Sequence, residues 1–124
     1  PGPWSIEETI WESRFHHLEQ FREFGIENLT LKKNLANYNS PHCSELIGSQ
    51  VEGRDLRGTC ALVLLSLAAR GQSTIFQSHH IERGYQFFIE KLNILGANIK
   101  QYTNYDFQAK ARSNLQSAST TVIV

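Results

Sequence analysis

The chain has 124 residues, enough for one ordinary domain around one core. Its charge is balanced, 12 Lys and Arg against 12 Asp and Glu, which argues against a nucleic-acid or membrane-surface binder working through bulk electrostatics. Two cysteines, Cys43 and Cys60, lie outside any CxxC spacing and supply neither a disulfide framework nor a zinc motif.

From the start, "PGPWSIEETIW" has neither the basic region nor the apolar core of a signal peptide. The absence of Met and the leading proline mark a processed chain or a piece of a longer one. The first amphipathic segment is "WESRFHHLEQFREFG", with Trp11, Phe15, Leu18 and Phe21 at spacings of three and four. Gly25 ends it, since glycine takes the left-handed cap cheaply, and "IENLTLKK" follows with strand character. "NLANYNSPH" and "SELIGSQVEG" read as short strands joined by turns at Asn39-Ser40-Pro41 and Gly48.

The second helix, "RDLRGTCALVLLSLAARG", is stopped by Gly71 and followed by the strand "QSTIFQS". Its apolar run, Cys60 to Ala69 with Ser66 inside it, is far shorter than the roughly 20 residues of a membrane span. Ala61, Leu62, Val63, Leu64, Leu65, Leu67 and Ala68 cover every face, so this helix is expected to be buried all round. The third, "RGYQFFIEKLNILG", carries a stripe of Tyr85, Phe88, Ile89, Leu92 and Leu95, closes at Gly96 and leads into the strand "ANIKQY". Three helices are thus expected near 14–24, 55–70 and 83–95, each followed by a strand. Alternating units with a central apolar helix predict α/β layering, helices inside and sheets outside. Residues 105–124 form a polar tail, distinct from a 1–104 domain, ending in "TTVIV", an edge strand or a segment pairing with another chain. The whole reads as a neutral, cytoplasmic globular domain.

The candidate chemistry sits at two helix starts. Asp55 suits the N-cap of the second helix. Arg57 then falls two positions inside, against the helix dipole. Either it pairs with Asp55 or Glu52 at the surface, or an anionic ligand is held there by the dipole and a guanidinium fork together. Arg83 opens the third helix and precedes Gly84, whose cost of roughly 1 kcal/mol in a helix points to a close backbone approach. Its bland reading is a solvated arginine. Adjacent pairs His16–His17 and His79–His80 do not share a face and make a poor metal site. Cys60 reads as a small core residue, and nothing visible activates Cys43.

These strings, in this order and spacing, resemble the C-terminal third of the UDP-N-acetylglucosamine enolpyruvyl transferase family. "ETIWESRF", "DLRGTCALVLLSLAARG" and "HIERGYQFFIEKLNILGANI" match its "ETxFExRF", "DLRxxxALVLAxLxAxG" and "HIxRGYxxxxxKLxxLGAxI", over roughly Ile6 to Gln101. The resemblance implies part of an inside-out α/β barrel built from βαβαββ units. It implies transfer of enolpyruvyl from phosphoenolpyruvate to the 3′-hydroxyl of UDP-N-acetylglucosamine, the first committed step of peptidoglycan synthesis. No cofactor or metal is called for, and the partners are the two substrates, with neither nucleic acid nor membrane. By this carry-over Arg83 grips phosphoenolpyruvate, Asp55 and Arg57 line the same cleft, and the Ile10 backbone contacts the UDP-sugar. The two arginines are the catalytic candidates.

The match has gaps. The family's general base belongs to a "GFPTD" segment some twenty residues before Ile10, and its loop cysteine acid and N-terminal lysine belong to parts this sequence does not contain. These 124 residues are therefore expected to be inactive alone, and their exposed apolar surface invites self-association. The rival reading is a non-catalytic anion-binding or structural module that keeps the barrel unit.

Overall fold

The computed structural model describes residues 2–12, 14–40, 45–103 and 120–124. Strand β1 (Trp4–Glu7) pairs antiparallel with β3 (Leu35–Tyr38), which pairs antiparallel with β2 (Leu29–Lys32). β1 falls outside the sequence expectation because its alternation lasts only four residues and neither face is buried. Its register is held by β3 and by the Trp4 ring, stacked on Tyr38 at 5.8 Å. Leu29, Ala36 and Tyr38 form one small core with Leu18 of α1 (His16–Glu19).

The first expected helix is a single α turn that tightens into a 3-10 helix over Gln20–Phe24. Gly25, at φ 90°, closes it as expected. Gln20 lies alongside β4 (Gln50–Glu52): its amide donates to the Glu52 carbonyl at 2.6 Å and accepts from the Glu52 N–H at 2.7 Å. One side chain thereby satisfies a sheet edge.

α2 (Leu56–Ala68) runs from β4 to the parallel strand β5 (Thr74–Phe76). Its Leu62 and Val63 are fully buried against Val51, Ile75 and Phe24 in the main core. Asp55 caps α2, its carboxylate accepting from the Gly58 N–H at 2.9 Å. The helix ends at Ala69 in an extended conformation, so Gly71, at φ 86°, serves the following turn rather than the cap. Burial all round is not what the structure shows. Leu64 is 53% exposed, Leu67 is 38% exposed and Ala68 is exposed too, because the sheet, α1 and the segment after β5 occupy only the other sides among the described residues.

The third expected helix is two helices. α3 (His80–Gly84) and α4 (Phe88–Ile94) are separated at Phe87, which sits at φ 55°, a costly conformation for an aromatic residue. The break disrupts the predicted stripe: Ile89 is buried, whereas Tyr85 is 45% and Leu95 83% exposed. β6 (Lys100–Thr103) follows, and β7 (Thr120–Ile123) completes a sheet of order β4-β5-β7-β6. "TTVIV" is thus a strand, but an internal one of this chain's own sheet, not an edge. The rest of the 105–124 tail, to residue 119, lies outside the described residues, as do residues 41–44, which hold Pro41 of the expected Asn39-Ser40-Pro41 turn and Cys43.

Cys60 is buried, and burial, assisted by the nearby Asp55 carboxylate, pushes its thiol up to about 11. That agrees with a core role. No helix among the described residues is long and apolar enough to cross a membrane.

Candidate functional site

A cavity of about 500 Å³ opens at the start of α2, lined by Glu8, Arg14, Phe15, His17, Asp55, Leu56 and Arg57. Three chain segments build it. Asp55 is placed by its capping bond, and the Thr59 hydroxyl donates to its carbonyl at 2.6 Å, fixing the first turn of α2. Arg57 stands in that turn, exposed to solvent. Arg14 comes from the residues before α1, its guanidinium 5.0 Å from the centre of the Trp11 ring. Glu8 follows β1 and accepts the N–H groups of Ile10 at 3.0 Å and Trp11 at 3.3 Å. Those two bonds hold its carboxyl below the ordinary carboxylate value, with smaller help from Arg14 and Arg57.

Glycine at 58 is required by a close approach. A Cβ there would stand 2.9 Å from the Cβ of His17 and 3.1 Å from the Asp55 carboxylate. α1 therefore packs directly on the α2 start, and His17 becomes a wall of the cavity. Its buried Nδ1 has no hydrogen-bond partner among the described residues. Burial lowers its pKa from the ordinary 6.5, partly opposed by the Asp55 carboxylate and a backbone bond at Arg14, with His16 adding to the lowering. An imidazole whose folded pKa is depressed is charged more readily unfolded, so its stabilising effect is complete above 6.5 and declines as pH falls. The melting temperature is expected to drop between about pH 7 and 5, and His17→Gln to reduce that drop. An undiminished drop in the variant would assign it elsewhere, His79 being shifted the same way.

The cavity brings together two of the four residues singled out from sequence, Asp55 and Arg57. Ile10 and Arg83 are not among its lining residues. Ile10 is 79% exposed and belongs to the turn that Glu8 holds. Arg83 does not open a helix; it lies in the last turn of α3, where a cation suits the dipole. The helix starts earlier because the chain already turns at Ser78–His79. Arg83 is nevertheless one residue from Gly84, and a Cβ on Gly84 would overlap the Leu56 side chain that lines the cavity. That close approach accounts for the glycine.

Among the described residues none of Arg14, Arg57 and Arg83 enters a salt bridge, which leaves these guanidinium groups uncommitted to internal carboxylates. The surface pairing of Arg57 with Asp55 or Glu52 is therefore not observed. Glu8, Arg14 and His17 were missed by sequence reasoning. Glu8 and Arg14 stand in "EETIWESRF", the short segment that also holds Ile10, and His17 follows two residues later, but only tertiary packing brings these residues against α2. His79 and His80, expected to face apart, place their rings 4.1 Å from each other because His79 is the residue just outside α3. Among the described residues no group of three His, Cys, Asp or Glu is placed to hold a metal ion.

The mixed α and β fold that carries this cavity is found in an enolpyruvyl transferase. The crystal structure of the enolpyruvyl transferase NikO from Streptomyces tendae matches with a TM-score of 0.71 and 32% identity, over 78% of this chain and 22% of that one. The sequence model of the EPSP synthase (3-phosphoshikimate 1-carboxyvinyltransferase) family matches residues 2–92, and the chain belongs to that family. Curated relatives are named UDP-N-acetylglucosamine 1-carboxyvinyltransferase. The protein of a Nitratiruptor species is 45% identical over 96 residues, and that of the Wolbachia of Brugia malayi is 48% identical over 94. The alignments cover 77% and 76% of this chain, which spans about a fifth of each relative, 22% and 21%.

Proposed function

We propose that this chain is a working part of an enzyme that transfers enolpyruvyl from phosphoenolpyruvate to the 3′-hydroxyl of UDP-N-acetylglucosamine, releasing phosphate. The observation that carries the reading is the pair Arg14 and Arg57, two guanidinium groups that enter no salt bridge among the described residues, in one cavity at the N-terminus of a 13-residue helix. Both substrates are dense anions, and the reaction adds the sugar hydroxyl to C2 of phosphoenolpyruvate before phosphate leaves. Guanidinium forks and the helix N-terminus would hold the carboxylate and phosphate while positive charge develops at C2.

In this reading Arg57 acts on the reacting anion, Asp55 fixes the turn that presents it, and Arg83 reaches the same anion from the end of α3. The Ile10 backbone contacts the UDP-sugar at the turn held by Glu8. Residues 1–104 form the enolpyruvyl-transferase part and 105–124 an appendage, which the end of the family match at residue 92 supports. The reading implies a cytoplasmic enzyme of peptidoglycan synthesis serving cell shape and division. The names of the relatives favour it over a non-catalytic module.

The test is phosphate release from phosphoenolpyruvate in the presence of UDP-N-acetylglucosamine. The 124 residues alone are expected to give none, since the proton-transfer groups implied by the resemblance lie elsewhere. A protein joining this chain to the rest of a relative's length is expected to turn over. Failure of that joined protein, folded, would leave the non-catalytic module standing. The exposed Leu64, Leu67 and Ala68 face of α2 is proposed to drive self-association of the isolated chain, which a monomeric mass in sedimentation would refute.

A further inference from the structure

Among the described residues β5 and β6 do not pair with each other; β7 lies between them and pairs with both. On the β5 side Thr74 faces Ile123 and Ile75 faces Val122. Beyond them Ser73 and Val124 exchange both backbone bonds, N–H to carbonyl, at 3.0 and 2.9 Å. On the β6 side the pairing runs from Lys100↔Ile123 to Thr103↔Thr120, and β6 has no other strand neighbour among the described residues. Val122 is 1% exposed and sits in the main core with Val51, Ile75 and Ile99, while Val124 packs against the same cluster.

The strand in this gap comes from outside the family match, which ends at residue 92. It is also remote from the strand it follows. Hairpin loops usually run about two to five residues, but residues 104–119 separate β6 from β7. "TTVIV" is wholly β-branched and uncharged, suited to a half-buried pleated surface. Its main chain is held on both edges, and the side chain at position 122 is buried in the apolar core, with Val124 packed beside it. Those are the two elements of recognition by strand addition: backbone bonds for affinity and a side-chain pocket for selectivity.

We infer that the gap between β5 and β6 is a strand-acceptor site whose ligand is an extended β-branched segment, and that residues 120–124 fill it as a tethered, exchangeable ligand. This inference does not depend on the activity proposed above. Covalent attachment favours the chain's own segment over a free peptide, so a free peptide competes only once the connection is cut.

The experiment places a protease recognition sequence between Arg112 and Ser113 of the full chain, which is purified intact and then cleaved. The C-terminal piece is expected to remain bound through size-exclusion chromatography. Excess labelled peptide of sequence 119–124 is expected to replace it with a rise in anisotropy. The same peptide carrying Val122→Asp is expected to bind at least roughly 100-fold more weakly, because its charge would enter the apolar core. A second protein locates the exchange. Because Ser73 and Val124 form the hydrogen-bonded pair, Thr74 and Ile123 form the adjacent non-bonded pair, whose short spacing suits a disulfide. Thr74→Cys with Ile123→Cys, oxidised before cleavage, is expected to abolish exchange. Immediate loss of the piece, with or without loss of circular dichroism, overturns the inference. So does equal binding of the two peptides, or exchange that survives the disulfide.

Discussion

Arg57→Ala, made in a protein that joins this chain to the remaining length of a relative, is expected to lower turnover by about 100- to 1,000-fold. That is the usual cost of removing one preorganised electrostatic contact from a site where charge develops. Asp55 caps α2 through its own carboxylate and Gly58, so the helix survives the change and folding is expected to be normal. Arg57→Lys is expected to recover little, because a lysine presents a point charge and not a planar fork. The loss should appear in kcat as well as in KM, since the contact strengthens as phosphate departs. Arg83→Ala is the sharper test of the role the resemblance implies, because Arg83 is not among the residues lining the cavity, although its neighbour Gly84 packs on Leu56 of that lining. A drop on the same scale would place Arg83 on the substrate; unchanged turnover would confine it to the end of α3.

How much of this was legible in the sequence differs from one element to the next. The Asp55 cap was legible, since a carboxylate before an apolar helix has one strongly preferred use. So were the left-handed glycines at 25 and 96, each just past the last periodic residue. The break at Phe87 was not legible, because "RGYQFFIEKL" keeps a helical period straight through it. Nothing local announces that an aromatic residue will take φ 55°. The placement of "TTVIV" was half legible. Its composition predicts a strand, but its partner edges lie far back along the chain at β5 and across an intervening segment at β6, a pairing that no local pattern encodes. The cavity shows the same division. Asp55 and Arg57 announce themselves on one helix, whereas Glu8, Arg14 and His17 join them only because α1 packs against Gly58.

Phe24→Ala is expected to be the most destabilising single truncation in the chain. Phe24 is fully buried, the largest such side chain among the described residues, and ends the 3-10 segment that follows α1. It belongs to the core of α2 and the second sheet although its own segment leads into the first sheet. Its carbonyl also accepts the Ile47 N–H at 3.1 Å, so backbone and side chain together join the two halves. A Phe→Ala cavity costs about 3–5 kcal/mol, against a total of roughly 5–15 kcal/mol for a domain. The melting temperature should fall by on the order of 10–20 °C, and the urea midpoint should fall with it at an unchanged slope. Leu64→Ala provides the contrast. The same apolar type, on the most apolar helix of the chain, is 53% exposed, and its truncation is expected to shift stability by no more than about 0.5 kcal/mol. If Leu64→Ala proves as costly as Phe24→Ala, that face of α2 is buried in solution, by self-association or otherwise. If Phe24→Ala is the mild one, the two sheets are not joined through its side chain.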